Sequence, residues 1–499
     1  MKCVFAVLFL CFTASSSNAE ALRVGSKRFT ESYILGEIIV RTAGDAQVTV
    51  THRPGLGNTG ILFAALRTGS IDLYPEYTGT VAKEILKLEG SAGLDELNRA
   101  LAPLGFGAAV PLGFNNSYAL AMREERARAL GIRSLSDLAK HPALKLGLSQ
   151  EFIGRADGWP GLKTAYALPF ASPTGLDHGL AYEAIAAGRI DVMDIYTTDA
   201  KIERFQLRAL EDDRKFFPRY EAVLLYRLDV PQRFPGAWAK LQELEGRIDE
   251  RTMIRLNAAA ELQGRSFAEA AALLDSGLNS ESNTKRTFTS VLFGPDFWRL
   301  TGEHLVLVFV SLAASIVVGI PLGILSHKVR AMTQLVLGAV GVIQTIPSLA
   351  LFAFLIALLG TIGTVPALIA LFLYALLPIV RNTYAGLEAV GKGMRQAALA
   401  LGLSKRDRLW RVEIPLAMPS ILAGIKTSAV INVGTATIAA FVGAGGYGER
   451  IVSGLALNDN ATLLAGAIPA ALLALIVQGA FEMGERRFGW VARARSGPA

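Results

Sequence analysis

Four tyrosines stand in short polar phrases: Tyr77 in IDLYPEYTGT, Tyr118 in NNSY, Tyr196 in IYTTD and Tyr220 in FFPRY. Each falls at the end of an expected strand or in a polar loop, where the lobes of a two-lobed fold meet. The phrase GSKRFTESYILGEI runs from a strand into a helix. Thr30 is placed to cap that helix, and with Ser26 it offers hydroxyls where the first helix amides point outward. Such a helix start favours a carboxylate. Asn58 and Thr59 of PGLGNT open a second helix in the same way. Lys27 and Arg28, beside the strand end, read as solvated. No nucleophile stands at a recognisable spacing from a base, so the pattern is that of a binding site and not of an enzyme. His52, His141, His178, His304 and His327 are scattered, and neither a metal site nor a cofactor is expected. Cys3 and Cys11 both lie in the first dozen residues, so the rest of the chain has no thiol chemistry.

The elements that must position these residues alternate. Strands are expected at 22–26, 48–53, 71–77, 118–123, 144–148, 191–196 and 222–227. Helices are expected at 31–42, 59–67, 94–104, 181–187 and 250–262. This alternation predicts an α/β fold with largely parallel sheets, and its length suits two lobes facing a cleft. Lys2, an apolar core over 4–12 and the small residues Ser17 and Ala19 make residues 1–19 read as an export signal. The exported domain then covers 20–278, and the polar stretch that follows opens a linker over 279–301.

From residue 302 to 488 the chain reads as membrane. Apolar residues make up 52% of the whole sequence, yet they concentrate here. Spans are expected at 305–326, at two places within the uncharged stretch 333–380 with a turn near Gly360, at 427–448 and at 461–481, five in all. His327, Lys328, Arg330 and the basic segment 396–415 then fall on the cytoplasmic side, as do the basic residues of the tail 489–499. The net charge of +7 is explained by these flanks, and no nucleic-acid partner is expected. Pro321, Pro347, Pro366, Pro378 and Pro469 interrupt the spans, each more simply as ordinary helix packing than as a gate. Gln344, Thr345, Ser348, Asn432, Thr435 and Thr437 are polar residues within spans, as ready to bond a neighbouring helix as to line a pathway.

Segment 396–415, QAALALGLSKRDRLWRVEIP, is too long and too charged for a simple connector. It resembles the EAA loop of ABC importer permeases. Gln396, Ala397 and Ala398 stand for E-A-A with Gln in place of Glu, Gly402 falls on the glycine, and Val412 to Pro415 match the tail. The resemblance implies docking of a separate cytoplasmic ATPase subunit here. No G-x-x-x-x-G-K-[ST] phosphate loop occurs in the chain, which agrees with an outside energy source. Five spans make a small permease, so a homodimer is expected in the bilayer.

The exported half, through GSKRFTESYILGE and YPEYTGT, resembles the periplasmic-type binding proteins of osmoprotectant ABC importers, which take glycine betaine, carnitine and choline. The resemblance implies that Tyr77, Tyr118, Tyr196 and Tyr220 cage a quaternary ammonium, with Ser26, Thr30, Asn58 and Thr59 toward a carboxylate. A trimethylammonium donates no hydrogen bond, and aromatic faces hold it at about 0.5–2 kcal/mol each. Asp72, Glu76 and Asp199 are the alternative partners for a ligand such as choline that lacks a carboxylate. The implied whole is an α/β bilobal periplasmic-type binding domain followed by an all-α membrane domain in a bacterial inner membrane, with the binding domain outside. Its partner is a small zwitterionic or cationic solute. Ergothioneine, itself a trimethylammonium betaine, is an alternative cargo. A membrane solute sensor is the reading from another class; it needs a cytoplasmic output domain, and the sequence offers only the tail after Phe481.

Overall fold

The computed structural model describes residues 20–495 apart from 89, 91, 171, 277–287 and 458. The expected signal segment 1–19 and the start of the expected linker lie outside the described residues. Later in the linker range, residues Phe288–Leu292 are helical and the first membrane helix already begins at Phe297.

Lobe 1 opens with β1 (Leu22–Gly25), β2 (Val50–Arg53), β3 (Leu73–Tyr77) and β4 (Phe106–Ala109). Lobe 2 holds β5 (Tyr118–Arg123), β6 (Gly147–Ser149), β7 (Thr174–Leu176), β8 (Met193–Tyr196) and β9 (Leu207–Ala209). The chain then returns to lobe 1 with β10 (Ala222–Arg227), giving the sheet order β2-β1-β3-β10-β4. β1 runs parallel to β2 and β3, whereas β10 runs antiparallel to β3 and β4. In lobe 2, β5 lies antiparallel between β8 and β9, and β6 pairs in parallel with β7. The sheets are therefore mixed where largely parallel ones were expected. A chain that crosses twice between lobes must re-enter the first one from the hinge, and its returning strand runs against the others. β4, β7 and β9, absent from the expected set, are only three or four residues long and carry Gly, Ala or Arg in place of an apolar run.

The two crossings lie side by side. Asn115 and Glu221 form an antiparallel bridge, Asn116 N donates to Tyr220 O (3.0 Å), and Tyr220 N donates to Asn115 Oδ1 (2.7 Å). Helices pack on the sheets where the 3.6-residue period put them: α1 (Thr30–Gly44), α2 (Thr59–Arg67), α3 (His178–Ala186) and α4 (Glu250–Glu261). α1 buries most of its surface, including Ile34, Leu35, Ile38 and Ile39.

Among the described residues, the membrane half has four helices long and apolar enough to cross a bilayer, or five spans if a bent pair counts as one. They are α5 (Phe297–Lys328), the pair α6 (Arg330–Thr345) and α7 (Ser348–Leu359), α8 (Thr364–Glu388), the continuous stretch Lys405–Ala436 ending in α10 (Ile414–Ala436), and α12 (Asn460–Arg495). α9 (Lys392–Ala400) and α11 (Gly448–Leu457) are shorter. The pair α6–α7 bends by 103° at Ile346 and Pro347. Proline has no N–H to give the helix and pushes the residue before it to extended backbone, here ψ 125° at Ile346. Pro321, Pro378 and Pro469 sit inside unbroken helices.

The span expected at 427–448 is instead centred earlier. Lys426 ends the uncharged run in the sequence, but in the fold it lies within α10 with its Nζ 3.9 Å from Glu482 of α12. An ion pair between helices hides a charge that a scan for uncharged residues takes as a boundary. α5, α8 and α10 pack closely through glycine: a Cβ on Gly323 would lie 2.5 Å from Thr383 Cβ and 2.9 Å from Val380 O. Asn432 is fully buried and donates to Ser311 Oγ (2.9 Å), and Ser428 donates to Ala375 O (2.8 Å), so these polar groups bond helix to helix. Thr435 and Thr437 bond carbonyls of their own helix.

Forcing a branched side chain between α5 and α8 should cost about 1–3 kcal/mol. We expect Gly323→Val to lower the melting temperature and the yield of monodisperse protein in detergent. Gly302→Ala, whose Cβ meets open space, should match the parent in both measurements.

Candidate functional site

Strand register builds the site. Tyr118 opens β5 and Tyr196 closes β8, and the antiparallel pairing sets them directly opposite one another. Tyr77 closes β3 opposite Ala222, just beyond Tyr220 in the hinge. All four tyrosines therefore line one small cavity between the lobes, together with Lys27, Phe29, Thr80, Asn116 and Glu151. Tyr118 lies 5.2 Å from Tyr196 and stands edge-on to Tyr220 at 5.7 Å, measured between ring centroids. Phe29 of lobe 1 stacks on Tyr196 of lobe 2 at 5.2 Å. Sequence reasoning passed over Phe29, although an aromatic directly after a strand end in KRFTES carries the same signal as the tyrosines.

Their hydroxyls are tied down, which fixes the rings. Tyr77 donates to Glu31 Oε1 (2.5 Å), and Tyr220 donates to Asp157 Oδ2 (2.7 Å). Glu31 is buried and also accepts from Asn116 Nδ2 (2.8 Å), Thr198 Oγ1 (2.5 Å) and Asn257 Nδ2 (3.1 Å). Burial raises its pKa against the pull of those donors. Asp157 is held by Arg155 through two bonds of 2.9 and 2.6 Å, and that guanidinium lies 5.3 Å from the Tyr118 centroid. Lys27 is not solvated: it is 3% exposed, with Nζ 2.6 Å from the buried Glu76. Both cations at the cage are thus matched by carboxylates, Arg155 by Asp157 and also by Glu151 at the wall (3.5 Å), so carboxylates outnumber cations three to two. Such a cavity offers π faces and negative potential to a cation with no hydrogen to donate.

The four residues expected near a carboxylate separate. Ser26 is fully buried and engaged with His52 Nε2 (2.8 Å) and Gly55 N (3.3 Å), away from the cage. Thr30 is the first helical residue of α1; its cap is Phe29, which makes no side-chain cap bond. Thr30 lines a polar space behind Phe29 with Asp199, Lys201 and Glu261. Asn58 does cap α2, accepting from Ile61 N (3.3 Å). Thr59 reaches across the cleft to Glu151 Oε1 (3.5 Å). Asp72 pairs with Arg23 and Arg233, and Asp199 with His178 and Tyr182, which removes both from direct contact with a ligand in the cage. Among the described residues no group of three His, Cys, Asp or Glu side chains is placed to hold a metal ion.

Outside the cage the cleft continues into a chamber lined by Arg28, Asn58, Glu151 and Asp177, and closed by Phe441, Val452 and Leu455 of the membrane half. At the far end of the molecule, segment 396–415 forms helical pieces broken at Gly402. Gln396, Ala397 and Ala398 lie on α9, Gly402 turns the chain at φ 77°, and Pro415 is in the first turn of α10. Gly402 N and Leu403 N donate back to Leu399 O and Ala398 O, so the turn is closed by two backbone bonds. Buried Glu413 draws Arg408 and Arg395 onto it (3.2 and 3.7 Å). Leu401 is 80% exposed and Trp410 59%, an apolar surface beside fixed charges that suits a protein partner.

Residues 20–273 match the family described as the substrate binding domain of ABC-type glycine betaine transport systems. Residues 315–490 match that of the inner membrane component of binding-protein-dependent transport systems. The glycine betaine/carnitine/choline transport system permease protein OpuCB of Bacillus subtilis is 42% identical over 187 residues, covering 38% of this chain and 86% of that protein. A glycine-betaine-binding protein of Pseudomonas aeruginosa is 35% identical, covering 53% of this chain and 93% of its own length. The ergothioneine transport permease/ergothioneine binding protein EgtU of Helicobacter pylori is 34% identical, covering 49% of this chain and 45% of that protein.

Behind the cage, His178 Nε2 lies 2.8 Å from Asp199 Oδ2, and its ring is 4.7 Å from that of Tyr196. Burial alone would lower its pKa, but the Asp199 and Asp194 carboxylates outweigh it and raise it to about 9. The folded state therefore favours the charged ring. That stabilisation is complete below the unfolded value of about 6.5 and is lost as pH rises through about 9. Thermal melting of the two-lobed half should fall across that window, and His178→Gln should flatten the fall.

Proposed function

Because the chain belongs to the ABC-type glycine betaine transport family, as a substrate-binding domain fused to an importer permease, we propose that it imports a quaternary ammonium solute such as glycine betaine, choline or carnitine. The observation that carries this reading is the convergence of Tyr77, Tyr118, Tyr196, Tyr220 and Phe29 on one closed cavity between the lobes. Capture there excludes water, and closure brings the rings of both lobes around the ammonium. Release follows toward the chamber faced by Phe441. The chain is a transporter component, not an enzyme, and ATP hydrolysis belongs to a separate subunit. That subunit docks on the surface formed by α9, Gly402 and the start of α10. We place the binding domain on the periplasmic side of a bacterial inner membrane and expect two copies of the chain in the working complex. The domain limits that accompany this reading are 20–278 for binding and 302–488 for the permease.

For the carboxylate of a zwitterion, Thr59 and Asn58 at the start of α2 are the remaining hydroxyl and amide candidates, since Ser26 is committed to His52. Ergothioneine is the second reading. It shares the trimethylammonium group, and the similarity to EgtU favours it.

Calorimetry on the full chain in detergent separates the ligands, with glycine betaine, choline, carnitine, ergothioneine and glycine as titrants. We expect one of the four ammonium compounds to bind and glycine not to. Tyr118→Ala and Tyr196→Ala should each weaken that binding roughly 2- to 30-fold, the worth of one aromatic face. Binding of glycine alone, or affinities indifferent to both substitutions, would exclude the cage. Separately, Gly402→Val should leave solute affinity unchanged and reduce solute-stimulated ATP hydrolysis in the reconstituted complex, because a β-branched residue resists φ 77°.

A further inference from the structure

Phe29 divides two compartments: the tyrosine cage lies on its inner side, and on its outer side is the chamber closed by Phe441, Val452 and Leu455. The wall it makes with Tyr196 joins lobe 1 to lobe 2, so it exists only while the lobes are together. The preceding residue, Arg28, reaches the opposite way. Its guanidinium lies 4.5 Å from the centroid of the Phe441 ring, and its Nε is buried without a hydrogen-bond partner. Burial lowers its pKa, while the Tyr33 hydroxyl and the carboxylate of Asp177 act the other way. Asp177 is the N-cap of α3 in lobe 2. One side chain of lobe 1 therefore stands where both lobes and the membrane half meet.

The surroundings reinforce that junction. α11 of the membrane half packs against α3 of lobe 2. Leu56 of lobe 1 presses on Gly443, where an added Cβ would come within 2.2 Å of Leu56 Cδ2. The membrane half thus touches both lobes at once, on the side of the cleft where Phe29 closes the cage.

We propose that Arg28 on the face of Phe441 is a positioning contact through which the docked membrane half holds the two lobes closed, so that docking itself strengthens solute capture. The coupling is reciprocal, since whatever favours closure favours docking by the same factor. Only the choice of solute in the test below rests on the proposed function; the contact itself does not.

The test uses the full chain with Cys3 and Cys11 replaced by Ser. Spin labels go on cysteines introduced at Arg67→Cys in lobe 1 and Arg128→Cys in lobe 2, both exposed positions. Pulsed dipolar spectroscopy then reads the distance between lobes with and without choline, alongside choline affinity. Phe441→Leu keeps apolar bulk and removes the ring, whereas Phe441→Tyr keeps the ring. We expect Arg28→Ala and Phe441→Leu to shift the lobes toward longer distances and to weaken choline binding roughly 3- to 10-fold. Phe441→Tyr should behave as the parent. Unchanged distances in both Arg28→Ala and Phe441→Leu would overturn the proposal. If choline fails to bind the parent while those two variants still open the lobes, the coupling stands and the choice of solute falls.

Discussion

The arrangement of the cage depends on one buried carboxyl group, Glu31. Four donors converge on its two oxygens from four parts of the chain: Tyr77 at the end of β3, Asn116 in the hinge, Thr198 beside β8 and Asn257 on α4. A carboxylate withdrawn from water is costly unless its lone pairs are filled, and removing one partner leaves the remainder unsatisfied. The group therefore acts as a common anchor. It fixes the Tyr77 ring through its hydroxyl and draws the Thr198 turn, two residues past Tyr196, against α1. Lobe 1, lobe 2 and the hinge cannot shift independently without exposing one of these bonds. Ring positions that would otherwise be set by weak aromatic contacts are set by short hydrogen bonds instead.

The membrane half obeys a different constraint. With no water to squeeze out between helices, close approach must come from small residues and from polar groups that bond across the gap. Gly323, Gly386 and Gly424 let backbones of neighbouring helices come into contact, and Ser311, Ser428 and Asn432 supply the cross-bonds. Asn432, which seemed equally ready to line a passage, is used up as mortar. At the end far from the lobes the same economy ties segment 396–415 together, since Glu413 gathers Arg395 and Arg408 while leaving Leu401 and Trp410 outside.

The two-part architecture was legible because it is written in composition and period: strand–helix alternation, then uncharged stretches. The four tyrosines were legible as well, since each ends a strand or precedes one. What escaped were features that depend on pairing between distant residues. Lys27 looked solvated because Glu76, 49 positions away, cannot be read as its partner. Ser26 looked free because His52 lies across β1 and β2. Lys426 displaced the expected start of a span for the same reason, its companion Glu482 being on another helix. Pro347 announced a break, but its 103° angle depends on how α7 packs. Arg155 and Asp157 have no local signature; they come together with Tyr118 and Tyr220 only where the lobes meet.

The seat of Leu56 against Gly443 has a consequence for how such a chain can change over generations. The two positions belong to different domains, yet they are matched: a side chain added at 443 would run into the end of Leu56, so a change there calls for a change at 56. A receptor carried on the same polypeptide as its channel is thus inherited as a matched pair, copied and varied together. Exchange of one half for that of a cousin gene requires both sides of this seat to be recombined at once. Fusion, in that sense, preserves a private fit that separately encoded partners would have to rediscover after every shuffle.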